Sequence, residues 1–174
     1  KDGVEELLQQ SSAYIDQRSI DKKVYPKQIA FNSIPFVDCF LENNYTREEM
    51  KMVWETHKIL DENISVNPTA VRVPVLVGHA ESIYIETEKE IDIELAKNCL
   101  NEFAGISVID DVQEVDFPTS FEHGHGTDDV YVGRIRKGLS KNNSLNLWVV
   151  ADNVRKGAAL NSIQIAENLV GSEM

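Results

Sequence analysis

The alternation of apolar and polar positions divides the chain into helices, an extended stretch, and a run of strands interleaved with helices. Residues 2–19 carry Val4, Leu7 and Leu8 at helical spacing. "DKKVYPKQIAFNSIP" follows as an extended stretch punctuated by Pro26 and Pro35. "NNYTREEMKMVWETHKIL" predicts a strong helix, because Thr46 and Glu49 fit a capping box in which hydroxyl and carboxylate satisfy orphan N–H groups reciprocally. On it Met50, Val53, His57 and Leu60 form one stripe, and Met52 with Ile59 a second, so the helix is expected to be covered on two sides. "TAVRVPVLVGHAES", residues 69–82, alternates Val71, Val73, Val75 and Val77 as a buried strand does, yet it holds Arg72 and His79.

Further along, "SIYIET" reads as a strand and "IDIELAKNCLNEFA" as an amphipathic helix that stops before Gly105. "ISVIDD", "DVYVGRIR" and "SLNLWVVAD" read as strands, and "NVRKGAALNSIQIAENLV" as a closing helix. The order lacks the regular βαβ alternation of a doubly wound sheet. The expected class is therefore α+β: a mixed, largely antiparallel sheet with helices on one face, in one domain over residues 1–174.

Composition narrows the function classes. With 42% hydrophobic and 26% charged residues the chain has ordinary folded usage. A net charge of −12 argues against a nucleic-acid surface, which needs clustered Lys and Arg. The acids are dispersed, as in "ESIYIETEKEIDIE" and "IDDVQEVD", and read as solvated faces. No apolar run approaches the roughly 20 residues that span a bilayer, and the start is not a secretion signal, so a cytoplasmic chain with no membrane partner is expected. Cys39 and Cys99 sit in apolar, helix-like contexts and are expected as reduced core residues. The opening "KDGVEELLQQSS" runs straight into helical spacing without a methionine, and reads as a cut made within a longer protein.

There is no Gly-rich phosphate loop and no Cys/His pattern with zinc spacing. "EHGHG", residues 122–126, reads as a glycine-rich surface loop, and no metal is expected. Three places hold polar residues that a core would not choose. Glu55 and Lys58, at i and i+3, suit either a surface ion pair or a ligand-binding face. Arg72 and His79 suit either a snorkelling strand end with a turn beside Gly78, or a site. In "VVADNVRKGAALN", Asp152 or Asn153 suits a helix cap.

Those pieces taken together resemble the C-terminal part of aspartate-semialdehyde dehydrogenase, of the bacterial branch whose closing motif reads ADN-x-x-KGAA. The matching segments are "PKQIAFNSIP", "LENNYTREEMKMVWETHKIL", "VRVPVLVGHAESIYIET", "DDVYVGRIR" and "LNLWVVADNVRKGAALNSIQIAE", in the family's order from residue 26 to 168. The resemblance implies an NADP-dependent interconversion of L-aspartate 4-semialdehyde plus phosphate with 4-aspartyl phosphate, on the route to lysine, threonine, methionine and isoleucine. A cysteine thiolate attacks the aldehyde, hydride leaves to NADP⁺, and phosphate cleaves the thioester. It implies His79 as general base, Arg72 as the clamp on the substrate carboxylate, Glu55 on the substrate amine, Lys58 at the phosphate and Asn153 at the nicotinamide. It further implies a fold like the C-terminal domain of glyceraldehyde-3-phosphate dehydrogenase, and a homodimer built through this region.

The family's "NC-x-T" nucleophile, its dinucleotide fingerprint and its "SGAG" nicotinamide loop have no match here. The N-terminal NADP-binding domain and the nucleophilic cysteine are thus expected outside this chain, which alone is expected to be inactive. A non-catalytic dimerisation or binding module of the same fold is one alternative; keeping Glu55, Lys58, Arg72 and His79 together weighs against it. A related acyl-phosphate reductase acting on N-acetylglutamyl phosphate is another, and a glutamate placed for a free ammonium counts against it. Arg72 and His79 also set a geometric condition. Fully extended, their Cα atoms would stand roughly 23 Å apart with side chains on opposite faces. One small substrate shared by both requires a break between Pro74 and His79, where Pro74 lacks an amide hydrogen and Gly78 tolerates unusual φ.

Overall fold

In the computed structural model, which describes residues 2–171, the chain divides into two compact units, one up to Pro74 and one from Val75 on.

The first unit holds α1 (Asp2–Ile15) and α2 (Arg47–Ile59), joined by an irregular connection. Leu7 of α1 meets Ile29, Ala30 and Ile34 in a small core, against which Tyr25 and Phe36 pack. An irregular chain laid over a helix leaves backbone donors to be satisfied, and polar residues on the inner face of α1 supply the partners. Gln10 accepts the N–H groups of Ile29 at 2.9 Å and Ala30 at 3.2 Å and donates to the Asp21 carbonyl at 2.8 Å. Glu6, buried like Gln10, accepts N–H groups from Lys23, Val24 and Tyr25. Burial by itself would raise the Glu6 pKa, but the N–H groups of Val24, Lys23 and Tyr25 more than reverse this and hold it below the usual value.

The capping box on α2 is present. Thr46 N–H donates to Glu49 Oε2 at 2.7 Å, and Glu49 N–H to Thr46 Oγ1 at 3.3 Å. Glu49 does a second job: its Oε1 accepts the Ala70 N–H at 2.9 Å, tying the segment that leads to Arg72 onto the start of α2. The expected cover on two sides of α2 is not found within the chain, where Met52 is 39% and Ile59 73% exposed.

The valine run is not a buried strand. Arg72 alone makes a two-way bridge with Ile34, at 2.9 Å in each direction; the backbone bends at Pro74, Leu76 and Val77, and Gly78 turns with φ of +77°. Val71, Val73 and Val75 are each more than 40% exposed. The expected break between Pro74 and His79 is there, and the straight strand is excluded.

The second unit is built on a four-stranded sheet of β1 (His79–Glu86), β2 (Ile106–Val108), β3 (Val130–Lys137) and β4 (Ser144–Ala151), in the order β1-β4-β3-β2. The β1–β4 and β4–β3 pairs are antiparallel and β2–β3 is parallel, so the expected α+β class with a mixed, largely antiparallel sheet holds. Val132, Ile135, Leu145 and Val150 are its buried apolar residues. Helix α3 (Ile93–Glu102), capped by the Asp92 side chain, packs on β2 and β3 and is pinned by a Lys97–Asp110 ion pair at 2.9 Å. The closing segment is two elements rather than one helix: a π-helical turn, Arg155–Ala159, and then α4 (Leu160–Gly171). In the π turn N–H groups reach back five residues, from Gly157 to the Asp152 carbonyl and from Ala159 to that of Val154.

Both cysteines are free thiols, but neither belongs to the core: Cys39 is half-buried in a loop and Cys99 is exposed on α3. Among the described residues no helix is long and apolar enough to cross a membrane.

Candidate functional site

In the first unit three candidates stand on neighbouring supports. Glu55 and Lys58 lie one turn apart on the exposed side of α2 and do not pair with each other, so the ion-pair reading fails. Arg72 is fixed through its backbone bridge to Ile34 and through the Glu49–Ala70 hydrogen bond two residues upstream. Its guanidinium carbon lies 5.5 Å from the centroid of the Tyr25 ring, and no carboxylate among the described residues pairs with it. The Thr46 N–H, then the Ala70 N–H, hold the Glu49 pKa below its usual value. Glu49 is thereby committed to architecture, whereas Glu55 stays exposed with no hydrogen bond to its carboxylate among the described residues.

In the second unit His79 opens β1, directly after the left-handed Gly78. A side chain at Gly78 would be strained by the left-handed φ and crowded: a Cβ there would lie 3.0 Å from the Ser120 carbonyl oxygen and 3.1 Å from that of Gly124. His79 is exposed and pairs across the sheet with Ala151, so Asp152 and Asn153 leave β4 at the same end of the strand pair. Of the two possible caps, Asp152 does the work. It is buried and accepts N–H groups from Val154 at 2.8 Å and Arg155 at 2.9 Å at the mouth of the π turn, and from Gly126 at 2.8 Å. Asn153 stays exposed, with its side-chain amide unpaired among the described residues.

The "EHGHG" stretch is more than a surface loop. His123 Nδ1 accepts the Thr119 N–H at 3.1 Å and its ring packs on Tyr131 at 5.4 Å between centroids. Gly124 is buried, and Trp148 Nε1–H donates to the Pro118 carbonyl, so the loop backs the turn before His79. No group of His, Cys, Asp and Glu among the described residues has the geometry to hold a metal. A cavity of about 710 Å³ in this unit is lined by Val108, Ile109, Asp110, Asp111, Val112, Gln113 and Asp116, and none of these is a candidate.

Sequence reasoning missed the Tyr25 ring beside Arg72, the π turn and the triple role of Asp152. The first two leave no periodic signal; the third was visible only as one of two capping options.

The chain belongs to the semialdehyde dehydrogenase dimerisation-domain family, whose model matches residues 1–156. It is 54% identical over 171 residues to the aspartate-semialdehyde dehydrogenase of Shewanella violacea, a match that covers 98% of the chain and 50% of that protein. A crystal structure of aspartate semialdehyde dehydrogenase II from Vibrio cholerae, complexed with ASA, superposes with a TM-score of 0.94 at 48% identity, covering 100% of this chain and 51% of that one. The Candida albicans enzyme solved with NADP superposes with a TM-score of 0.66 at 26% identity over 82% of this chain and 45% of its own. The chain spans about half the length of the curated relatives it matches.

Asp152 gives a testable pH dependence. The N–H groups of Arg155 and Gly126, working against burial, lower its pKa, so its stabilisation is complete above about pH 4 and is lost as pH falls through the depressed value. Asp152→Ala should cost about 2–3 kcal/mol at neutral pH, read from urea midpoints. Asp152→Asn should cost less and flatten the acid limb. Equal acid limbs for wild type and Asp152→Asn would contradict this account.

Proposed function

We propose that this chain is the substrate-binding and dimerisation half of a cytoplasmic aspartate-semialdehyde dehydrogenase, which interconverts L-aspartate 4-semialdehyde plus phosphate with 4-aspartyl phosphate. An amino-terminal half outside this chain supplies the NADP site and the nucleophilic cysteine. The observation that carries the reading is the match to aspartate-semialdehyde dehydrogenase over 98% of the chain. It is supported by Glu55, Lys58, Arg72 and His79, all exposed and none within ion-pair distance of an opposite charge among the described residues, while the buried carboxylates Glu6, Glu49 and Asp152 are taken up by backbone N–H groups.

In this reading the Arg72 guanidinium grips the substrate α-carboxylate, for which a planar fork of donors is suited. The Glu55 carboxylate holds the substrate ammonium, and the Lys58 ammonium attracts the incoming phosphate. The His79 imidazole takes the proton of the attacking thiol and returns it when the thiol is released. NADP⁺, when bound, would supply the hydride acceptor, and the Asn153 amide would be offered to its nicotinamide end. Two copies associate, which would cover the exposed valines and the second stripe of α2.

The test is expression of the complete reading frame that contains this chain. The full-length protein should form NADPH from semialdehyde in a phosphate-dependent reaction and sediment as a dimer, while the 174-residue chain alone should be inactive. A full-length protein that ignores aspartate semialdehyde and turns over the N-acetylglutamyl substrate would replace this reading with the other acyl-phosphate reductase.

A further inference from the structure

Arginine clamps are usually oriented by a carboxylate, yet Arg72 has none among the described residues. What lies against its guanidinium is the ring of Tyr25, with the guanidinium carbon 5.5 Å from the ring centroid, inside the roughly 6 Å range of a cation–π contact. The two kinds of partner differ in what they leave free. A carboxylate occupies the in-plane N–H donors and would compete with a carboxylate ligand. An aromatic ring attracts the cation without using any of the five N–H donors, so they remain open to a ligand.

Tyr25 is itself firmly held. Its ring packs on the core of Leu7, Ile29, Ala30 and Ile34. Its backbone lies in the stretch whose N–H groups converge on the buried Glu6. Its phenol end rests on α1 at Gly3, where an added Cβ would come within 2.3 Å of the Tyr25 hydroxyl oxygen. The Arg72 backbone is fixed from the other side by the bridge to Ile34. A long, flexible side chain is thus steadied at its root and at its tip, and ordering paid before binding is not paid again when the ligand arrives.

We propose that Tyr25 is a positioning residue for the Arg72 clamp, an inference that rests on the carboxylate-binding role given to Arg72 above. Tyr25 orients the guanidinium for a carboxylate ligand through its ring, not through its hydroxyl, and Gly3 is the clearance that lets the ring take that place.

The experiment is steady-state kinetics of the full-length enzyme with L-aspartate 4-semialdehyde, comparing Tyr25→Leu, Tyr25→Phe, Arg72→Leu and the Tyr25→Leu/Arg72→Leu double variant. Tyr25→Leu should raise KM for the semialdehyde about fivefold, the scale of a lost cation–π contact, with kcat unchanged. Tyr25→Phe, which keeps the ring, should match wild type. In the Arg72→Leu background Tyr25→Leu should add nothing to KM, because the group it positions is gone. Should Tyr25→Leu fail to fold, Gly3→Ala is the second variant: alanine favours the helix, but it displaces the ring and should raise the same KM. If Arg72→Leu raises KM while neither Tyr25→Leu nor Gly3→Ala does, the positioning role is wrong and the clamp stands. If Tyr25→Leu raises KM as much without Arg72 as with it, the effect is general packing and the inference is overturned. If Arg72→Leu leaves KM unchanged, the clamp assignment itself falls and this inference with it.

Discussion

Replacing His79 with alanine in the full-length enzyme is expected to lower kcat by roughly 10²- to 10⁴-fold, the usual contribution of a positioned acid–base group, while KM for the semialdehyde moves little. The expectation rests on placement. His79 is the first residue of β1, exposed, and follows a left-handed glycine whose replacement would be strained and crowded against the Ser120 and Gly124 carbonyl oxygens. Its fold role is small, since its side chain makes no hydrogen bond among the described residues, so its removal should leave the melting temperature near that of wild type. Steady-state rates in both directions together with a thermal melt would decide it. A kcat within a factor of about three of wild type would remove His79 from proton transfer, because a base that contributes less than that is not acting as one.

The second large effect belongs to Arg72. Arg72→Leu should raise KM for the semialdehyde roughly 10- to 100-fold, the size expected when a charge-assisted hydrogen-bonded pair is lost. KM for phosphate should be spared, since that anion is assigned to Lys58. Arg72→Lys should recover only part of the loss, because a lysine offers a point charge where the clamp needs a planar fork. The comparison of the two KM values within one variant is the informative measurement. Were phosphate binding to suffer as much as semialdehyde binding, the division of labour between Arg72 and Lys58 would be wrong.

The sequence pattern marked Arg72, His79, Glu55 and Lys58 as polar residues in unexpected places, but their proposed roles came from the family resemblance and not from the pattern. Their supports were not legible in the sequence. Tyr25 is separated from Arg72 by most of the first unit's sequence, and nothing in "KVYPKQ" announces a ring that will sit beside a guanidinium. Glu49 was read correctly as a cap, but its second oxygen and the Ala70 N–H meet only once the chain has folded back. Asp152 was one of two possible caps, and its third partner, the Gly126 N–H, comes from a loop read as plain surface.

The sequence by itself determined what short-range periodicity can carry. The capping box of α2, the amphipathic α3 ending ahead of Gly105, and the alternating strands β1, β3 and β4 all stand where the residues put them, because each is decided by interactions within a few positions. The tertiary structure decided where pattern and partner disagree. The valine run alternates perfectly, but a strand needs a neighbour for its N–H and C=O groups; only Arg72 finds one, in Ile34, and Pro74 with Gly78 turns the rest. Cys99 has an apolar sequence context and still faces outward, because burial depends on what packs over α3 and not on the residues beside it. The closing helix reads as continuous, yet begins as a π turn, since Asp152 collects the Val154 and Arg155 N–H groups and the chain must shift by one residue to enter α4.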